Sequence, residues 1–444
     1  MNFGHQARPN ASIGILLSAF AFGFALNSMQ PASARSGSAS KSAQAPCFCS
    51  SQGVTSALRI ASASEVATTP GIASASENAS TPVNASASEI TLTPGIASAA
   101  GYIPTAENLA ARKEFADEKF GIFLHWGVYS MLGRGEWVLQ TQKLRASEYS
   151  LLARGFYPSQ FNAHDWVAAF KAAGAKYVCI TTRHHDGFSM FGTSASPFNI
   201  VDATPFHRDI IGEIAEECHK QGLKIHFYYS LLDWTRDDYY PLGRTGHDTG
   251  RDFGAPSTSA LSQTSIADTS WTNPRWQSYK AFMKQQLTEL LTRYGDVGAI
   301  WFDGLWDRDE QAGGEDPGTW GLYDIYNLIH RLQPSCLIGN NHHESVMPGE
   351  DIQIFEKDIP GENTVGLSGQ EVSRLPLETC QTMNDSWGYN IYDHNYKSAE
   401  CLIKYLEDTN SKGANLLLNI GPRPDGTLPD EALAILRAFA ARLR

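Results

Sequence analysis

The chain has 444 residues, of which 42% are apolar and 11% aromatic, with a formal net charge of −12. A chain of this kind is globular and can bury a sizeable core, either as two or three domains or as one large α/β barrel with appendages. The acidic balance, with no Lys/Arg stripe to offset it, excludes nucleic acid as a partner, because such a surface repels a phosphate backbone.

Residues 1–34 read as a secretory signal: Arg8 in a weakly basic start, an apolar core from Ser12 to Leu26, and small residues ending in Ala32, Ser33 and Ala34. That apolar run is short and interrupted by Ser and Gly, so no membrane span is expected in the mature protein, which is exported to a periplasmic, extracellular or lysosomal address. Residues 35–101 are rich in Ala, Ser and Thr and repeat with a period of twelve, ASASE recurring at 61, 73 and 85. Too few large apolar side chains are present to offset the ordering entropy, so this stretch reads as a disordered linker, with Asn78 and Asn84 in glycan-acceptor patterns. Seven cysteines are too few for a disulfide framework at this length, and Cys179, Cys218 and Cys336 fall in apolar patterns as small hydrophobes.

A folded domain is expected over 102–444, with short apolar strands alternating with amphipathic helices. The first strand, 120–127, is followed by a helix near 162–174 that opens at a capping Asn162. Strand 176–187, a helix near 209–221 and strand 223–230 come next, and after a long polar loop Asn273 and Pro274 carry the start signals of a helix ending at Gly295. The run VGAIWFDG is the next strand, and a helix near 319–332 precedes strands at 335–341 and 351–356. A helix near 395–412, a strand at 414–422 and a helix near 430–443 close the chain. This alternation predicts a parallel sheet with helical crossovers, and the strand count fits an α/β, (β/α)8-like TIM barrel better than an open doubly wound sheet. Neither GxGxxG nor GxxxxGK[ST] follows any strand, which weakens the nucleotide-binding alternative.

In such a barrel, functional groups gather where strands end. Here the strand ends carry His125 and Trp126, then His184 and His185, Tyr228 and Tyr229, Trp301 and Asp303, Asn340 to His343, and Glu356. Asp303 lies between Trp301 and Trp306 in WFDGLWD, where a turn aspartate is one reading and a catalytic carboxylate framed by indoles the other. Adjacent histidines on a strand point to opposite faces, and no HExxH or cysteine cluster supplies further ligands, so neither metal nor cofactor is expected. The alternative chemistry is cleavage of a glycosidic bond by two carboxylates, one ionised and one protonated, with His, Tyr and Asn on sugar hydroxyls and Trp against an apolar sugar face.

The combination FGIFLHWGVYS, GEW at 135–137, TTRHHDGF at 181–188, YYS at 228–230, WFDG at 301–304 and LPLETCQTMNDSWGYN at 375–390 resembles the α-L-fucosidases of glycoside hydrolase family twenty-nine, over roughly residues 102–444. The resemblance implies a retaining exo-hydrolase that removes terminal α-L-fucose from a fucosylated glycan through a covalent fucosyl-enzyme. It places Asp303 as nucleophile and His125, Glu136, Trp137, His184, His185, Tyr228 and Trp301 around the fucose. For the acid/base it offers Glu350, Glu356 and Glu362; Glu356 is favoured because it ends an apolar alternation, and Glu362, in a Pro-Gly loop, comes second. Asn341, His342 and His343 are expected on the same side of the pocket. Transfer of fucose to an acceptor sugar, or non-catalytic fucose binding, are the alternatives. The loop from Thr235 to Trp271 is expected to shape the aglycone side. The family's usual C-terminal β-sandwich is not evident after residue 422.

Overall fold

The structure is a computed structural model that describes residues 92–240, 242–250, 272–308 and 320–442. The readings of residues 1–34 as a signal and of 35–91 as a linker lie outside the described residues, as does the loop stretch 251–271. Among the described residues, no helix is long and apolar enough to cross a membrane.

Eight parallel strands form one sheet: β1 Phe120–Leu124, β2 Tyr177–Arg183, β3 Lys224–Ser230, β4 Ala299–Asp303, β5 Leu337–Asn341, β6 Gln353–Glu356, β7 Leu377–Thr382 and β8 Ala414–Ile420. Their order is β5-β4-β3-β2-β1-β8-β7-β6. The two ends meet at a Gly339–Ile352 bridge, where Asp351 N (2.7 Å) and Ile352 N (3.1 Å) donate to the Ile338 carbonyl and draw the sheet into a nearly closed barrel. This is the expected (β/α)8 TIM-barrel architecture. Loops rather than helices join β5 to β6 and β6 to β7.

Although nearly every strand residue is buried, the side chains separate into two sets by the period of two. Ile122 and Leu124, Val178 and Ile180, Ile300 and Phe302, and Leu416 and Leu418 pack outward against the helices. Phe123, Cys179, Tyr228, Trp301 and Leu417 fill the barrel interior. Asp303 lies one period beyond Trp301, so it inherits the inward direction at the point where the strand ends.

Among the described residues, the helices longer than two turns are α1 Ala106–Glu118, α2 Ala163–Ala172, α3 Ile210–Gln221, α4 Pro274–Arg293, α5 Leu322–Leu332, α6 Ala399–Ser411 and α7 Asp430–Arg442. Asn162 caps α2 by accepting from Asp165 N (3.3 Å), Asp209 caps α3 through Gly212 N (3.0 Å), and Asn273 caps α4 through Arg275 N (2.8 Å). The helix α1 and the strand β7 escape a reading by apolar period. In α1 only Asn108 and Phe115 are buried, with Phe115 reaching into the barrel interior beside Tyr177 and His226. In β7 the buried residues include Glu378, Thr379, Gln381 and Thr382, polar side chains that hide the strand.

The packed region also begins upstream of the expected Tyr102. Ala97 is buried, its N–H donating to Asn327 Oδ1 (2.7 Å) and its carbonyl accepting from Asn327 Nδ2 (3.0 Å). A side-chain amide of α5 thus tethers a segment with little apolar surface of its own. Cys179, Cys218, Cys336 and Cys380 are buried free thiols, and Cys401 is disulfide-bonded.

Beneath the strand ends, Arg183 and Asp233 are fully buried and paired, Nη1 to Oδ2 at 2.5 Å. Arg183 also donates to Ser230 O (2.5 Å) and Tyr279 OH (3.0 Å), while Asp233 Oδ1 accepts from Thr235 N and Oγ1 and from Arg236 N. The pair locks the end of β2 to the loop after β3, directly below His184 and His185. Asp233→Ala strands a buried guanidinium and is expected to cost about 3 to 5 kcal/mol in urea denaturation.

Candidate active site

The C-terminal ends of the strands surround a hollow of about 350 Å³. Asp303, at the end of β4, lines it. Its Oδ2 accepts from Tyr228 OH (2.8 Å) and lies 3.5 Å from His185 Nε2, and its Oδ1 accepts from Trp306 Nε1 (3.1 Å). The turn that brings Trp306 back onto Asp303 runs through Gly304 at φ +91°, where a Cβ would press on Leu232. Burial pushes the Asp303 carboxyl up to about 6; the Tyr228 hydrogen bond opposes the rise, and the neighbouring Glu356 adds to it.

Glu356, at the end of β6, faces the same hollow. Its Oε2 accepts from Asn341 Nδ2 (2.9 Å) and lies 3.8 Å from His343 Nε2. His343 and Lys357 are both non-glycine residues at positive φ, +67° and +60°, so the backbone is strained on either side of this carboxylate. Glu136 is a third lining carboxylate, its Oε2 accepting from Gly388 N at 2.6 Å. Burial raises its proton affinity.

Three histidines of the hollow, His125, His184 and His185, are neutral. Burial pulls His125 down to about 3 and holds His184 and His185 well below the usual range. His125 Nδ1 lies 2.7 Å from Asn419 Oδ1, and Asn419 Nδ2 donates to Trp387 O (2.7 Å), which fixes the amide orientation. An amide oxygen only accepts, so the proton sits on His125 Nδ1 and its Nε2 can accept from a ligand hydroxyl. His185 Nδ1 is paired with Ser230 Oγ at 2.7 Å. Aromatic walls complete the site: Trp301 stacks on Tyr228 (5.5 Å between centroids, 22°) and Trp137 on Trp306 (5.8 Å, 14°). Trp301 Nε1 donates to Glu378 Oε1 (2.8 Å) and Tyr177 OH to Glu378 Oε2 (2.6 Å), anchoring the indole from within the barrel.

Of the residues that the resemblance places at the site, Asp303, Glu356, His125, Glu136, Trp137, His184, His185, Tyr228, Trp301, Asn341 and His343 all line the hollow, whereas the strand-end residues Trp126, Tyr229 and Asn340 lie outside it. Three other residues that the resemblance offers do not line it. Glu362 is exposed on the loop after β6 and outside the lining, because the Pro-Gly turn carries it away rather than over the site. His342 is buried the other way, its Nε2 3.1 Å from Glu350 Oε1, since the chain alternates past His343. Glu350 also accepts from Tyr326 OH (3.0 Å) and Met347 N (2.9 Å) and belongs to that buried support. Phe123, Trp306, Trp387, Cys380, Leu367 and Arg244 join the lining. Trp306 and Trp387 stand within motifs already noted, whereas nothing local marks Arg244 or Leu367. Among the described residues, no group of three or more His, Cys, Asp or Glu is disposed to hold a metal ion.

Two strand-end carboxylates facing one hollow, walled by indoles and neutral imidazoles on the C-terminal face of a (β/α)8 barrel, define a glycoside hydrolase type of site. A family model described as α-L-fucosidase matches residues 91–444. The plasma α-L-fucosidase of Rattus norvegicus is 30% identical over 360 residues, covering 74% of this chain and 68% of that protein. Among solved structures, α-L-fucosidase isoenzyme 1 from Paenibacillus thiaminolyticus superposes with a TM-score of 0.64 at 30% identity, covering 76% of each chain. The α-L-fucosidase AlfC from Lactobacillus casei gives 0.60 at 32%, covering 75% of this chain and 97% of that one. The chain belongs to the α-L-fucosidase family. It spans roughly two thirds of the length of the curated relatives it matches, between 63% and 69% for the first four.

Tyr228→Phe removes the stronger of the two donors to Asp303 and leaves its burial intact. The Asp303 carboxyl is expected to titrate at a higher pH in that variant, by about one unit in a carbon-13 NMR titration of labelled protein.

Proposed function

We propose that the protein is a retaining, exo-acting α-L-fucosidase that releases terminal α-L-fucose from glycoconjugates or oligosaccharides. The observation that carries this reading is that Asp303 and Glu356 face one hollow with different partners: Asp303 held by two neutral donors, Glu356 beside Asn341 and His343. Asp303 attacks the anomeric carbon as Glu356 gives its proton to the departing glycosidic oxygen. The fucosyl ester is then cleaved by a water that passes its proton to Glu356, which restores both carboxyls. The productive complex requires the two groups about 5 to 5.5 Å apart. Neutral His125 and His184 serve the sugar hydroxyls, His125 accepting through its Nε2. The indole and phenyl faces suit the fucose methyl, which contributes about 1 to 3 kcal/mol of discrimination against a sugar with a hydroxyl there.

Solved AlfC structures in complex with α-L-fucose, with 4-nitrophenyl α-L-fucopyranoside and with Fucα(1,6)GlcNAc support a fucoside as ligand. Transfer to an acceptor sugar uses the same ester and differs in what intercepts it; fucosyltransferase mutants of AlfC favour keeping that second reading. Export fits relatives named for plasma.

Asp303→Ala is expected to abolish turnover of 4-nitrophenyl α-L-fucoside, and azide to restore it with β-fucosyl azide as product; full activity without azide would refute the nucleophile assignment. Glu356→Gln should lose far more on a native disaccharide than on the nitrophenyl substrate, whose leaving group needs little protonation, while Glu362→Gln stays near wild type. Equal losses on both substrates would remove Glu356 from the acid/base role. With Asp303 pushed up to about 6, the ionised nucleophile accumulates as pH rises through that value. The acid limb of kcat/KM should therefore bend near pH 6, not near 4.

A further inference from the structure

The turn that carries the nucleophile also fixes a distant loop. Asp307, four residues beyond Asp303, is wholly buried. Its Oδ1 accepts from Thr245 N (2.8 Å) and Thr245 Oγ1 (2.6 Å), its Oδ2 from Tyr239 OH (2.7 Å), and its carbonyl from Arg244 N (2.5 Å). A Cβ on Gly243 would collide with both the carboxylate and the carbonyl of Asp307, so the loop can approach this closely only with glycine there. Residues 243–245, from the β3–β4 connection, are thereby pinned to the end of β4.

What this clamp presents is the Arg244 side chain. It is exposed, it lines the mouth of the hollow, and among the described lining residues it is the one Lys or Arg, set against the carboxylates of Glu136, Asp303 and Glu356. Those carboxylates are engaged elsewhere, by Gly388 N, by Tyr228 and Trp306, and by Asn341. The Arg244 guanidinium has no hydrogen-bond or ion-pair partner among the described residues. Leu367, from the β6–β7 loop, is the exposed apolar residue of the same lining. In an exo-acting site the sugar fills the inner end and the leaving group emerges at the exposed one, where these two residues stand. A planar guanidinium on a fixed backbone matches the two oxygens of a carboxylate or a sulfate, and fucose itself carries no anion for it to meet.

We propose that Arg244 is a specificity residue for the leaving group, selecting α-L-fucosides whose aglycone bears an oxyanion, as in a uronic acid or a sulfated sugar. The inference rests on the fucosidase reading above and adds the class of substrate to it. The test compares kcat/KM of wild type, Arg244→Ala and Arg244→Lys on three substrates: neutral 4-nitrophenyl α-L-fucoside and its 4-carboxyphenyl and 4-sulfophenyl counterparts. Taking the ratio of wild type to variant for each substrate cancels differences in leaving-group reactivity. Arg244→Ala is expected to lose about tenfold on an anionic substrate and less than twofold on the neutral one, with Lys restoring part of the loss. Raising NaCl to 0.5 M should shrink the wild-type preference, since an exposed ion pair is screened. A loss confined to the carboxyl substrate assigns the uronate type, and one confined to the sulfo substrate the sulfated type. Equal loss on all three, or loss on none, overturns the assignment while leaving the fucosidase reading standing. Absence of turnover of every substrate by wild type overturns both.

Discussion

The site depends on keeping a carboxylate charged where water is scarce. Burial, with Glu356 nearby, drives the proton onto Asp303, and chiefly the Tyr228 hydroxyl and the Trp306 indole N–H hold the carboxyl to about 6. Each donor is delivered by the barrel rather than by the residues beside Asp303 alone. Tyr228 comes from the neighbouring strand, where Tyr228 is in register with Trp301, and Trp306 returns through the left-handed turn at Gly304. A slip of β4 by one residue would send Asp303 into the helix layer, away from Tyr228, so the parallel register is itself part of the chemistry.

The same shortage of water governs the imidazoles. Three of the four histidines lining the hollow crowd together, His184 and His185 with ring centroids 4.1 Å apart, an arrangement that protonated rings would not tolerate. Kept neutral by burial, they present unprotonated ring nitrogens that accept from hydroxyls. Segments far apart in the chain meet here to support them. The GEW motif is tied to the SWGYN motif by Glu136 and Gly388, and His125 to the end of β8 by Asn419.

Beneath the hollow the barrel interior is itself polar. Glu378, with no exposure at all, accepts from Tyr177 and from Trp301, and burial lifts its carboxyl to about 7. A purely apolar filling would pack as densely, but it would leave the Trp301 N–H unsatisfied and the indole free to turn. At the rim, His343 and Lys357 adopt positive φ around Glu356. Arg244 and Leu367 stand on loops of the same rim.

The sequence by itself determined the architecture and the inner ring of the site. Strand and helix alternation, capping residues at Asn162 and Asn273, and polar residues at successive strand ends are all local signals, and the barrel's rule that strand ends carry function turned them into Asp303, Glu356 and the histidines. It missed α1, whose buried surface is little more than Phe115, and β7, whose buried face is polar, because an apolar period is the signal for an element only when apolar contact is what holds it. Only the tertiary structure decided which of neighbouring residues face the hollow. Glu356 and Glu362 stand six residues apart on one short segment, and His342 and His343 are adjacent, yet one of each pair enters the hollow and the other turns away. That choice rests on strand direction and on turns at positive φ, and the placement of Arg244 rests on a buried aspartate more than sixty residues away in the chain. Such long-range constraints leave no trace in the residues that obey them.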